Sequence, residues 1–185
     1  MIRLEKIISG GQTGADRAGL DFAIDHKMDY GGWVPKGRKT EDGSLPLKYH
    51  LQEMPTRDYA MRTLQNVLDS DGTVIVSHGF LTGGSALTRE FALKYKKSWL
   101  HIDLNALSLP DAAHMLLHWL EEKEIRVLNI AGPKAGKDPK IYKAVLRLLQ
   151  EALTDSHVLG SGKKSCVKLQ CTPSSKPGSS GEKQK

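Results

Sequence analysis

The chain has 185 residues, 39% apolar and 26% charged, with a formal charge of +6, which suits one globular domain with an ordinary core. No run of 18 apolar residues excludes a helical membrane span, and no signal-type apolar segment follows Met1, so a cytoplasmic location is expected. The two cysteines, Cys166 and Cys171, lie near the C-terminal end, which excludes a disulfide framework or a cysteine zinc site for the body.

Leu4 to Ile8 reads as a compact apolar strand that stops at Ser9-Gly10-Gly11. Ala15 to His26 sets Ala18, Leu20, Phe22, Ala23 and Ile24 on one side of a helix. A Gly/Pro-rich stretch from Tyr30 to Pro46 follows, with a short strand expected near Trp33-Val34. The next helix begins around Pro55 to Asp58, with Thr56 as its expected N-cap and Tyr59, Leu64, Val67 and Leu68 on its apolar side. Strands are then expected over Thr73–Val76, Trp99–Ile102 and Ile125–Ile130, and helices over Gly83–Tyr95, Pro110–Glu122 and Pro139–Leu153. Strands alternating with helices of this length form βαβ units. Residues 1–153 therefore read as a Rossmann-like α/β domain, a parallel sheet covered by helices on both faces.

Residues 154–185 hold Gly-Ser-Gly-Lys-Lys-Ser and Thr-Pro-Ser-Ser-Lys-Pro-Gly-Ser-Ser-Gly. Such a composition cannot bury enough apolar area to fold, so it reads as a disordered tail. Six lysines against two acids give that tail +4 and leave the body about +2. A basic face for nucleic acid belongs on the folded part with aromatics interleaved. Nucleic acid is not an expected partner.

In open parallel sheets a ligand lies outside the carboxyl ends of the strands. Three expected strand ends run into glycine-rich turns: Ser9 to Asp16, Ser77 to Ser85 and Ala131 to Asp138. Glycine permits close backbone approach, and a helix start offers free N–H groups with a favourable dipole. In the first two turns Gly10, Gly11, Gln12, Thr13, Gly14, Thr82, Gly83, Gly84 and Ser85 are the candidate ligand-binding residues, their amides and neutral side chains aimed at one shared anion. Asp16 either complements the helix dipole or accepts from a ligand. Lys36 and Arg38, on a Gly/Pro loop, are candidates for a cationic clamp. Arg62 and Asn66, one helical turn apart, face either solvent or ligand.

The patterns that fail narrow the class. The dinucleotide fingerprint lacks its first glycine, replaced by Ser9, and Glu41 and Asp42 fall in a loop rather than at a strand end. A P-loop would need lysine where Ser85 stands; Gly132 to Lys137 is one residue short, with Asp138 in the hydroxyl position. His114 and His118 are spaced i,i+4 without a carboxylate to complete a metal site. No metal and no nucleophile–base–acid set is expected.

Residues 8–21 (Ile-Ser-Gly-Gly-Gln-Thr-Gly-Ala-Asp-Arg-Ala-Gly-Leu-Asp), 32–38 (Gly-Trp-Val-Pro-Lys-Gly-Arg), and 71–77 (Asp-Gly-Thr-Val-Ile-Val-Ser) with 81–85 (Leu-Thr-Gly-Gly-Ser) resemble the putative molybdenum carrier family. That family is similar to the molybdenum cofactor carrier proteins of algae and sits among the Rossmann-like ligand sensors called SLOG. The resemblance covers about residues 4–150. It implies a cytoplasmic, homo-oligomeric binding protein that holds a phosphate-bearing pterin or nucleotide without hydrolysing it, with molybdenum cofactor (molybdopterin) as a candidate cargo. A neighbouring family, the cytokinin-activating phosphoribohydrolases, carries P-G-G-x-G-T-x-x-E at the equivalent strand end. Here Gly83, Gly84 and Glu90 keep that spacing, while Thr82, Ala86 and Leu87 replace the proline, the third glycine and the threonine. The alternative is therefore a hydrolase of nucleoside monophosphates with Glu90 as its catalytic candidate, against a solvated Glu90–Lys94 pair.

Overall fold

The computed structural model describes residues 4–154. The tail expected beyond them, with Cys166 and Cys171, lies outside the described residues. Five parallel strands form the main sheet: β1 (Lys6–Ile8), β2 (Asp29–Gly31), β7 (Gly72–Ser77), β8 (Ser98–Asp103) and β9 (Val127–Ala131). Their order is β2-β1-β9-β7-β8. The chain thus runs from β1 outward to β2, restarts at β7 and runs outward to β8, then returns with β9 to fill the gap between β1 and β7. A crevice is expected where strand order reverses in this way.

Helix α5 (Ile141–Leu153) packs against both α1 (Ala15–Asp25) and α4 (Leu109–Glu122), and α2 (Tyr59–Leu68) packs against α3 (Gly84–Lys94). The α/β architecture is the one the alternation predicts. Its core joins Ile7, Val74, Leu128 and Ile130 of the sheet to Phe22, Leu116 and Leu148 of the helices, all fully buried. Each such side chain contributes about 1.5–3 kcal/mol relative to exposure.

Between α1 and α2 the chain builds more than a loop. β3 (Trp33–Val34) pairs in parallel with β6 (Gln52–Glu53), and β4 (Lys39–Thr40) pairs with β5 (Gly43–Ser44) as a hairpin. Val34, Leu45, Tyr49 and Leu51 make a second buried cluster with Leu20. Edge strand β2 falls at the start of the stretch read as loop, because Asp29 and Gly31 are poor strand formers and only pairing with β1 recruits them. The N-cap of α2 is Asp58, whose carboxylate accepts from the Ala60 amide at 2.7 Å. Thr56, the expected cap, instead accepts from the Asp58 amide at 3.2 Å, one step earlier in the same turn.

Candidate functional site

Adjacency of β1, β9 and β7 brings all three glycine turns to one sheet edge. Between them opens a cleft of about 360 Å³. Gly10, Gln12 and Asp16 come from the first turn, Thr82 to Ser85 from the second, and Gly132 to Lys134 with Lys137 from the third. Asn129 to Ala131 line it where β9 ends, and Tyr59, Arg62, Thr63 and Asn66 reach it from α2.

The first turn is closed on itself. The Ser9 hydroxyl donates to the Asp16 carbonyl at 2.9 Å and accepts from the Gly11 amide at 3.2 Å. The amides of Gly10 and Gln12 point at the Asp16 carboxylate, and the Thr13 amide donates to the Gln12 side-chain oxygen at 3.0 Å. Ala15 donates to the Pro133 carbonyl and Arg17 to that of Gln12. Gly14 has φ 80°, and a Cβ there would stand 2.4 Å from the Pro133 carbonyl oxygen, so only glycine lets the first and third turns meet. The Thr13 hydroxyl closes the same seam, accepting from the Ala135 amide at 3.1 Å and donating to Glu41.

Asp16 anchors this turn. Its carboxylate faces Arg62 at 3.3 Å, and the two side chains are only 8% and 12% exposed. Burial pushes the Asp16 carboxyl above the ordinary carboxylate range, against the pull of Arg62 and the surrounding amides. Arg62 in turn lies across Gly10, where a Cβ would fall 1.6 Å from its Nη1. Its Nε is buried without a partner among the described residues.

The second turn is open. Gly83 caps α3 without any side-chain hydrogen bond, and the first backbone bond of the helix runs from the Leu87 amide to the Gly83 carbonyl at 3.0 Å. The amides of Gly84, Ser85 and Ala86 have no acceptor among the described residues. Ser85 is only 6% exposed, and its hydroxyl, which faces the cleft, has no partner either. Such a helix start is a ready receptor for an anion. Cations surround it: Arg62, Lys134 and Lys137 all line the cleft. Lys134 also contacts Glu41 at 3.1 Å, and Lys137 donates to the Thr82 hydroxyl.

The structure brings together Gly10, Gln12, Asp16, Thr82, Gly83, Gly84 and Ser85 at this cleft. It turns the other sequence candidates elsewhere. Gly11 faces Leu45, Leu51 and Val34 of the second cluster. Thr13 and Gly14 hold the seam to the third turn. Arg38 is no clamp on this cleft: its guanidinium donates to the carbonyls of Leu45, Leu51, Pro46 and Tyr49, at 2.8 Å for the last. Lys36 lines a separate open groove with Arg57 and Tyr59. Glu90 is exposed on α3, outside the cleft lining and, among the described residues, with no ion-pair partner, Lys94 included. Asn66 lines the cleft, yet its amide group holds the Trp33 backbone on both sides, at 2.9 and 3.1 Å.

Sequence reasoning left Arg62 undecided and did not single out Lys134 or Lys137. The lysines were findable from the strand-end argument applied to the third turn. Arg62 carries no local signal, because it reaches Asp16 from 46 residues away.

A parallel sheet with its ligand crevice at the strand-order reversal, one open helix start and a ring of cations defines a Rossmann-like ligand-binding domain. The chain belongs to the circularly permutated YpsA SLOG family, whose model matches residues 7–153. Among solved structures, it is similar to a putative molybdenum carrier protein from Syntrophus aciditrophicus SB, at 62% identity and a TM-score of 0.82. The likeness covers 82% of this chain and 96% of that one. No curated protein matches the chain.

Proposed function

We propose that the cleft is a carrier site that holds a phosphate-bearing pterin or nucleotide without hydrolysing it. The observation that carries this reading is the open start of α3, where Gly84 and Ser85 line the cleft and neither their amides nor the Ser85 hydroxyl has a partner among the described residues. An anion there meets the positive end of the helix and the Lys137 and Lys134 ammonium groups, while the Asp16–Arg62 pair stands across from it. Donors of this kind hold a phosphate by fixed hydrogen bonds, and no carboxylate other than Asp16 lines the cleft. The structural relative is named for molybdenum carriage, which supports molybdopterin, a pterin that bears a phosphate, as the cargo. The phosphoribohydrolase reading needs Glu90 at the ligand, and Glu90 is exposed outside the cleft lining.

Thermal melting tests the proposal. A ligand that binds the native state raises the melting temperature, by the equivalent of about 2.7 kcal/mol at a hundredfold excess over Kd. Molybdopterin, AMP, GMP and cyclic nucleotides form the panel, and at least one is expected to shift the wild-type protein. A flat panel overturns the carrier reading. AMP recovered intact after long incubation is expected as well; release of free base would restore the hydrolase.

A further inference from the structure

A second, smaller chamber of about 170 Å³ adjoins the carrier cleft. The two share Thr82, Ser85, Pro133 and Lys137, so the start of α3 stands at their junction. The small chamber is below the range of sites that enclose a whole ligand. It has room for one ring of a ligand anchored next door.

Its walls are of two kinds. Phe80 and Leu81 are apolar, and Phe80 is 96% exposed, an aromatic face with nothing on it. Opposite in character are His78, at the end of β7, and Asp138, from the third turn. His78 Nδ1 lies 2.7 Å from the Asp138 carboxylate. A carboxylate only accepts, so Nδ1 carries the hydrogen, and whenever the ring is neutral Nε2 presents a lone pair. His78 Nε2 has no partner among the described residues. Asp138 is itself fixed, since its other oxygen accepts from the Lys140 amide at 3.1 Å. The neutral imidazole is thus an acceptor held in one orientation beside an uncovered apolar face.

We propose that His78, oriented by Asp138, is a specificity-determining residue that accepts a ring N–H of the bound ligand in this smaller chamber, with Phe80 and Leu81 against the ring face. The inference rests on the phosphate anchor at α3 proposed above. The ligand it selects is a phosphate-bearing heteroaromatic ring with an N–H on its edge.

GMP and AMP test it, because they share sugar and phosphate while guanine N1 bears a hydrogen and adenine N1 a lone pair. Titration calorimetry of the wild-type protein is expected to favour GMP at least tenfold. His78→Leu is expected to weaken GMP about tenfold, leave AMP within twofold and so erase the preference. Asp138→Asn keeps an oxygen for Lys140 and offers an NH2 to Nδ1. That reverses the donor sense of Nε2, so the preference moves toward AMP, and the ¹⁵N shifts of His78 report the tautomer change. Equal binding of both nucleotides by the wild-type protein overturns the inference, as does a GMP preference that survives His78→Leu. Failure of both nucleotides to bind also overturns it. Inorganic pyrophosphate, which needs no ring chamber, then decides the anchor: binding leaves the phosphate reading standing, and no binding removes both.

Discussion

The first and second glycine turns read almost alike in sequence, each a strand end, a glycine pair and the start of a helix. In the structure they do different work. The turn after β1 directs its amides inward, onto the Ser9 hydroxyl, the Asp16 carboxylate and the Gln12 side chain. The turn after β7 leaves the amides of Gly84, Ser85 and Ala86 without acceptors. The difference lies in the residues that follow. Asp16, in the first turn of α1, supplies a carboxylate that folds back onto the loop, whereas α3 opens with Gly84 and Ser85 and has no acid in its first turn. One turn is a strut that fixes Arg62 and the seam to the third turn, and the other is the receptor. A glycine motif therefore announces close backbone approach, and only the neighbouring acceptors decide whether a ligand or the protein itself takes the amides.

The largest effect is expected from removing the strut. Asp16→Ala leaves the Arg62 guanidinium buried and unpaired, which typically costs about 3–5 kcal/mol. Denaturant unfolding should show that loss. A loss under about 1 kcal/mol would mean the first turn does not depend on its internal carboxylate, and the contrast between the turns would fail.

Two valine substitutions sharpen it. Gly11 has φ 68°, and its Cβ would lie 2.8 Å from Leu45 and 3.0 Å from Leu51. Gly11→Val combines backbone strain with overpacking, each about 1–3 kcal/mol. It should lower stability by about 2–4 kcal/mol. A Cβ on Gly84 meets nothing within 4 Å. Gly84→Val should melt within a few degrees of wild type yet bind the best ligand of the panel about 1–3 kcal/mol more weakly, the scale of one or two hydrogen bonds to a charged group. Calorimetry on both variants separates strut from receptor, and equal effects on stability would erase the distinction.

Arg38→Ala asks whether the β3–β6 insertion belongs to the strut or the receptor. Four carbonyls lose their donor, for a destabilisation of about 1–3 kcal/mol. Ligand affinity should stay within twofold. A marked loss of affinity at unchanged stability would return Arg38 to the clamp role that its Gly/Pro loop suggests.

Four of the five strands of the sheet and all five helices were legible because buried strands such as Thr73–Val76 and amphipathic runs such as Ala15–His26 carry their pattern in the chain. Strand β2 was not, since Asp29 and Gly31 enter the sheet only by pairing with β1. The placing of the turns on one edge followed from parallel topology. What each turn does with its amides did not, because it depends on side chains folding back over the loop. Arg38 shows the same limit: a basic residue on a Gly/Pro loop looks like a phosphate clamp until the carbonyls of residues 45 to 51 are seen around it. Arg62 was undecidable for the opposite reason, its partner being distant in sequence and its role set by the α2–α1 approach.

The smallest expected effect is a difference in acid response. Each turn has a carboxylate at its outer side. Glu41 takes the Thr13 hydroxyl and the Gly136 amide beside Lys134, and Asp103 takes the amides of Gly79, at 2.7 Å, and Asn105, at 2.9 Å. Hydrogen bonds hold both carboxyls below their ordinary range, Glu41 chiefly through Thr13 and Asp103 chiefly through Gly79. A folded pKa below the unfolded one means that the unfolded chain binds the proton more tightly. The stability these groups add is therefore fully present above the unfolded carboxylate value of about 4 and is lost as pH falls through the depressed folded values. Asp16 runs the other way: its raised folded pKa makes its contribution more favourable as pH falls. The first turn thus carries two opposing signs and the second only one. Asp103→Asn should flatten the fall in melting temperature between about pH 5 and pH 3. Glu41→Gln should flatten it as well, leaving the opposite slope of Asp16 uncovered. Melting curves across that range check the signs, and a slope unchanged in both variants would show that neither carboxylate is held in the folded state as its hydrogen bonds require.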